Sequence, residues 1–162
     1  MEIDRAIRTL CDGGVEFIVI GGVAAVLHGS AVVTFDLDIL YSRTGSNVRR
    51  LADALAPFHP RPRGFPQGLP FVWDAATLRN SSVLTLIKDL GDLDLLAEVA
   101  GVGSYTEAEL KAVPIDAHGR HFLILDLRDL LRSKRAAGRP KDLAAIAELE
   151  SLLEAQEDDA ES

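Results

Sequence analysis

The sequence predicts an α/β (α+β) domain: a mixed β-sheet flanked by helices, with a helical segment at its C-terminal end. Three observations predict it. Short runs with strand periodicity recur along the chain, namely EFIVI at 16–20, FDLDILY at 35–41 and DLDLLAEV at 92–99. Segments whose apolar residues repeat at helical spacing alternate with them. Glycines, prolines and capping residues stand at the junctions, where turns are expected.

Taken in order, the first helix covers residues 3–12, where Ile3, Ala6, Ile7 and Leu10 form one stripe and Gly13-Gly14 ends it. EFIVI reads as a buried strand closed by Gly21-Gly22, and VAAVLHG at 23–29 as a short helix closed by glycine. FDLDILY alternates apolar and acidic residues, so Phe35, Leu37 and Ile39 are expected to face the core. Residues 46–56 form a helix with Leu51 and Leu55 inward. From Pro57 to Pro70 the chain holds five of its seven prolines and two glycines, which marks the best candidate for a mobile loop. Asp74 caps a short helix, and SVLTLIKDL at 82–90 pairs with DLDLLAEV as a hairpin around Gly91. Thr106 with Glu109 is a capping-box pattern, and VPIDA and RHFLIL form a second hairpin turning at His118-Gly119. Asp126 caps a helix that ends at Gly138, and Pro140 opens the last one.

With 162 residues, 48% hydrophobic and 26% charged, the chain fits one domain at 1–154 followed by an acidic tail at 155–162 expected to be disordered. The N-terminus is unlike a signal peptide, and no apolar stretch approaches a membrane span, so a cytoplasmic protein without membrane contact is expected. Cys11 is the single cysteine, which rules out an internal disulfide; it reads as a buried helix residue. The net charge of -8 is uneven: residues 148–162 hold seven acids and no base, leaving 18 acids against 17 bases elsewhere. A nearly neutral body disfavours tight nonspecific binding to duplex DNA and leaves RNA open.

The chemistry concentrates in two acidic motifs. Strand alternation puts Asp36 and Asp38 on one face, with Cα atoms roughly 6 to 7 Å apart. Two such carboxylates repel at neutral pH unless a cation stands between them, and magnesium, which takes oxygen ligands, is the simplest choice. Asp92 and Asp94 share a face by the same alternation, and Asp94 is favoured as a third ligand because Asp92 sits beside the Gly91 turn. A lone D-x-D also fits an edge strand with a solvated face; the pair of motifs favours a metal site. Gly21-Gly22 lies between a strand and a helix, where backbone N–H groups point outward and a phosphate can be held, although the glycines alone fit a plain tight turn better. Neither G-x-x-x-x-G-K-[ST] nor G-x-G-x-x-G is present, so a P-loop and a dinucleotide-binding turn are unsupported.

In sequence order, EFIVI, Gly21-Gly22, a short helix, T-x-D-L-D-I at 34–39 and G-D-L-D-L-L at 91–96 resemble the DNA polymerase beta-like nucleotidyltransferase superfamily. Its pattern is a hydrophobic residue, Gly-Gly or Gly-Ser, a gap, D-x-[DE] and a third acid; here thirteen residues separate Gly22 from Asp36, and Asp94 matches the third acid. Within it, the chain looks most like small bacterial nucleotidyltransferase-like proteins grouped with AbiEii-type toxins, which also end in a helical stretch like SKRAAGRPKDL at 133–143. The resemblance implies transfer of a nucleoside monophosphate from an NTP to a hydroxyl acceptor on RNA or protein, in a toxin–antitoxin or defence setting with a cognate antitoxin as partner. It implies Asp36 and Asp38 bridging Mg2+ (or Mn2+), with Asp94 holding the catalytic ion and helping to deprotonate the acceptor. Gly21, Gly22 and Ser30 would then face phosphate, and Lys134, Arg139 and Lys141, in the densest basic segment, would contact triphosphate or acceptor phosphates. Val32-Val33 stand where relatives often carry arginine, and Gly22 where many carry serine, which keeps open a catalytically degenerate binding module on the same scaffold.

The remaining conspicuous residues read as structural. His28 is a helix-terminal histidine bonded to backbone. His59, His118 and His121 lack metal-ligand spacing, and Asp142 pairs locally. Phe71 and Trp73 anchor the proline-rich loop.

Overall fold

β1 (Phe17–Ile20) is buried along its whole length, as its uninterrupted apolar sequence requires of a central strand. It runs antiparallel to β2 (Leu37–Tyr41) and parallel to β9 (Arg120–Ile124). Beyond β2 lies β5 (Leu93–Leu96), parallel to it, then β4 (Val83–Ile87) and the two-residue β3 (Arg61–Pro62), each antiparallel to its neighbour. β8 (Val113–Ala117) closes the other edge against β9. The result is a mixed sheet of order β3-β4-β5-β2-β1-β9-β8, with β6 (Glu98–Val99) and β7 (Gly103–Ser104) as a separate ribbon. The computed structural model describes residues 3–66, 68–81 and 90–161 together with the strand backbone of 83–87.

Two groups of helices flank the sheet. α1 (Ile3–Asp12), α3 (Gly45–Leu55) and α4 (Ala75–Arg79) pack on one another, and α2 (Gly21–Leu27), α6 (Leu127–Ala137) and α7 (Leu143–Glu161) form the second group; α5 (Tyr105–Glu109) lies against β1. Asp74 and Asp126 cap α4 and α6 as their positions predict, accepting from Thr77 N and Asp129 N, and Gly138 ends α6 in the left-handed region. One polar residue inside this packing has no sequence signature. The fully buried Asn47 accepts from Glu16 N at 2.7 Å and donates to the carbonyls of Glu16 at 3.0 Å and Ser42 at 2.8 Å, tying the start of α3 to the entry of β1 and the exit of β2.

Several expectations shift. β2 begins only at Leu37, so the alternation does not reach Phe35, which is 69% exposed in the irregular segment before the strand. The position before α5 is Ser104, whose hydroxyl meets Glu107 at 3.4 Å; Thr106 falls inside the helix, so the Thr106–Glu109 pattern is not a cap. Of the predicted strand 82–90, β4 takes Val83–Ile87, while Ser82, Lys88 and Asp89 lie outside the described residues. α7 continues to Glu161 through the segment expected to be disordered; Arg128 and Arg135 of α6 pair with Glu157 and Glu150, which gives the acidic helix a basic surface to lie on. Cys11 is half-buried. The proline-rich segment holds a 3-10 turn at Ala56–Phe58, β3, and an inner knot in which Arg61 donates to Pro66 O and Leu69 O and lies over Phe65. Trp73 fastens it to α3 through a 2.8 Å bond to Ala52 O. Among the described residues no helix is long and apolar enough to cross a membrane.

Candidate active site

The centre of the site follows from strand register. β2 and β5 carry nearly the same tetrapeptide, LDIL and LDLL, and pair in parallel with Leu37 opposite Leu93, Asp38 opposite Asp94 and Ile39 opposite Leu95. Leu37, Leu93, Leu95 and Ile39 are buried while Asp38 and Asp94 are half-buried on the other face. A one-residue slip of either strand would bury acids and expose aliphatic side chains, each worth about 1.5–3 kcal/mol when buried, so the hydrophobic pattern itself holds the carboxylates together.

β1 supplies the third wall. Its last residue, Ile20, is the Cα partner of Asp38, so the chain turns into α2 directly against that acid. Gly21 has φ +63, and a Cβ there would fall 2.5 Å from Asp38 Oδ2; only glycine fits the turn. At Gly22 a Cβ would meet Thr34 Oγ1 at 2.9 Å. Both glycines thus make room for the protein's own side chains.

Asp38 carries the electrostatic signature of the site. Its carboxyl is pushed up to about 7, first by burial, then by the negative charge of Asp94 and a hydrogen bond with it, with a smaller contribution from Asp36; Lys134 opposes the rise. Among the described residues, Asp38 Oδ1 and Asp94 Oδ1 are the buried side-chain atoms without a hydrogen-bond partner. Two adjoining carboxylates that each leave one buried oxygen unsatisfied are a pair of hard oxygen donors without a partner.

The other residues nominated from sequence divide. Asp36 stands one residue before β2 and is exposed, and among the described residues no three His, Cys, Asp or Glu side chains lie within common reach of a metal ion. Ser30 is buried and occupied: its Oγ donates to Glu148 Oε1 at 2.5 Å, Ala31 N donates to Glu148 Oε2 at 3.1 Å, and α7 is thereby pinned to the loop leading into β2. These bonds hold the Glu148 carboxyl below its ordinary range. Lys134, whose charge acts on Asp38, lies 3.5 Å from the buried Asp142, which Arg139 grips through Nε at 2.8 Å. The Arg139 bond, reinforced by Lys134, keeps Asp142 ionised. Lys141 is exposed. His28 Nε2 lies 2.8 Å from Leu125 O and His118 pairs with Asp4 at 2.9 Å, consistent with structural roles.

Two further residues stand beside these acids, Arg63, which the sequence did not single out, and Phe35, which it placed toward the core. Arg63, just beyond β3, reaches Asp92 Oδ2 at 2.9 Å. Phe35, with Val32 and Val33, exposes apolar surface beside Asp36. The first could have been suspected from its place in a basic run within the proline-rich loop; the second follows only from where β2 starts.

No protein-family model matches the sequence, and no curated protein matches it significantly. Among solved structures, the chain is similar to a Thermotoga maritima protein described as a candidate nucleotidyltransferase, with a TM-score of 0.52 and 14% identity over 95% of this chain and 92% of that one. At this identity the likeness shows the fold, a nucleotidyltransferase-like mixed sheet flanked by helices with a C-terminal helix.

Proposed function

We propose that this chain is a metal-dependent nucleotidyltransferase that moves a nucleoside monophosphate from an NTP to a hydroxyl acceptor on RNA or protein, releasing pyrophosphate. The observation that carries the reading is the in-register pair Asp38 and Asp94, backed by Gly21, with an unsatisfied buried oxygen on each acid. An all-oxygen donor set fits Mg2+ or Mn2+, and magnesium commonly takes one or two carboxylates and fills its shell with water and substrate phosphates. Asp38 and Asp94 would hold it, and Asp36, exposed one residue before β2, would join as third ligand only by turning toward them. When bound, the cation supplies charge neutralisation at the transferred phosphoryl group.

The chain's own groups account for the rest. Asp94 would accept the proton of the acceptor hydroxyl as its oxygen bonds to the α-phosphorus and the bond to pyrophosphate breaks. The first amides of α2, at Gly21 and Gly22, have no carbonyl within the helix to bond and would donate to phosphate oxygens. Lys134, already close enough to act on Asp38, is the best placed of the three basic candidates for the triphosphate; Arg139 and Lys141 would serve acceptor phosphates from the junction before α7. A toxin–antitoxin setting, with an antitoxin as partner and kinship to AbiEii-type toxins, belongs to the same proposal.

Incubation with Mg2+ and α-labelled NTPs, with cellular RNA and protein as acceptors, is expected to label an acceptor. Labelling that survives the double replacement Asp38→Asn with Asp94→Asn would overturn the assignment. A second reading, a catalytically degenerate binding module, is favoured by the position of Asp36 outside the strand and away from a common metal centre. Calorimetry separates the two: heat on adding NTP with Mg2+ or Mn2+ supports the enzyme, and none with any NTP supports the module.

A further inference from the structure

The register that joins Asp38 to Asp94 extends across two more strands. Asp94 is the Cα partner of Thr85 on β4, and on the far side of β4 the pairing Arg61–Ile87 and Pro62–Leu86 brings the next residue, Arg63, to the same row. Arg63 itself lies one residue past the end of β3, in a turn, so its placement rests on its ion pair rather than on strand alternation. Its guanidinium reaches Asp92, whose carbonyl accepts from Leu37 N and which therefore lies beside Asp36. Asp36 and Asp92, each one residue before its strand, thus neighbour the Asp38–Asp94 pair, and Arg63 sits on Asp92.

We infer that Arg63 is an anion-binding residue of this site, held on Asp92 in the ligand-free molecule and handed to the polyphosphate of the incoming nucleotide when that binds. This rests on the nucleotidyltransferase reading above. The basic groups differ in how firmly they are held. Arg139 and Lys134 converge on Asp142, whose side chain is 5% exposed, so they would meet a phosphate only while keeping that contact, since releasing both would strand a buried charge. Arg63 and Asp92 are 48% and 40% exposed, and an exposed pair of this kind contributes little, so exchanging the carboxylate for a phosphate is easy. The guanidinium fork matches phosphate as well as it matches carboxylate. Nearby, Arg61 is spent on Pro66 O and Leu69 O and on the Phe65 ring, which leaves Arg63 as the loop's arginine on the acidic face.

The test is a calorimetric titration of the full chain with inorganic tripolyphosphate and Mg2+, and with α,β-methylene NTPs, using wild type, Arg63→Gln, Asp92→Asn and the double variant. Thermal denaturation controls for folding. Arg63→Gln is expected to weaken binding by roughly tenfold or more, the loss of a charge-assisted bond. Asp92→Asn, which frees the arginine, is expected to tighten it, and the double variant is expected to bind like Arg63→Gln alone. Binding by wild type that Arg63→Gln leaves unchanged overturns the role of Arg63 and leaves the enzyme reading standing. Asp92→Asn tightening binding equally with and without Arg63 also overturns it, because Asp92 would then act by simple repulsion. No binding of any probe by wild type removes the enzyme reading and this inference together.

Discussion

Replacing Asp38 by asparagine should stabilise the metal-free protein, although it removes a proposed ligand. The Asp38 carboxyl rises from an ordinary 3.8 to about 7, so the folded chain holds a proton there that the unfolded chain has released. Between those values the folded state binds more protons than the unfolded state, and stability falls as pH rises. The cost is absent at low pH and complete above about 7. At about 1.4 kcal/mol per tenfold change in proton affinity it amounts to as much as about 4 kcal/mol. Asparagine keeps the shape, carries no charge and can donate to Asp94. In EDTA at about pH 8, Asp38→Asn is expected to melt above wild type by roughly 2–4 °C for each kcal/mol recovered, and at about pH 4 the two should nearly coincide. Circular dichroism melts across this range, with urea titrations at the two ends, measure it. A variant no more stable than wild type at alkaline pH, or a gap that widens on acidification, would refute the electrostatic account of the site.

Other expectations follow from the same geometry. Saturating Mg2+ at about pH 8 should raise the melting temperature of wild type by the stabilisation that ligand linkage gives, about 2.7 kcal/mol at one hundred times Kd, and should leave the Asp38→Asn, Asp94→Asn double variant unmoved. Gly21→Ala should cost roughly 1–3 kcal/mol from its positive φ alone, with further loss from the clash with Asp38, read as a lower urea midpoint and lost labelling. Asn47→Ala removes the side-chain partner of Glu16 N and Ser42 O, while Glu16 O still accepts from Ser42 N, and should cost about 3 kcal/mol by the same titration. Glu148→Ala should unpin α7 from Ser30 and Ala31, seen as faster amide exchange in 143–161 with the sheet still protected.

The sequence made legible whatever is decided locally. The hairpin of β8 and β9 turns at His118-Gly119, with His118 at φ 54, because the turn chemistry is written in adjacent residues. Asp74, Asp126 and Gly138 mark helix ends for the same reason. Asp38 and Asp94 could be placed on strands and alternation gave their face, whereas Asp36 and Asp92 fall one residue outside. Partner choice was not legible: nothing near FDLDILY states that β5 lies on one side of it and β1 on the other, since those pairings join residues far apart in the chain. Asp36 missed β2 because the ladder begins one residue later, with Leu37 N bonded to Asp92 O. Ser30 and Asn47 carry polar groups any loop or helix could carry, and their value comes from Glu148 and Glu16, which only tertiary packing brings near.

The parallel pairing of β1 with β9 has a consequence for synthesis and truncation. Ile18 meets Leu123 and Val19 meets Ile124, so one side of the most apolar strand stays uncovered until more than a hundred further residues have been made. A product halted before Arg120 would keep a bare, sticky flank on β1, open to the same flank of a second copy. Such fragments are expected to clump and be degraded rather than persist as smaller working proteins.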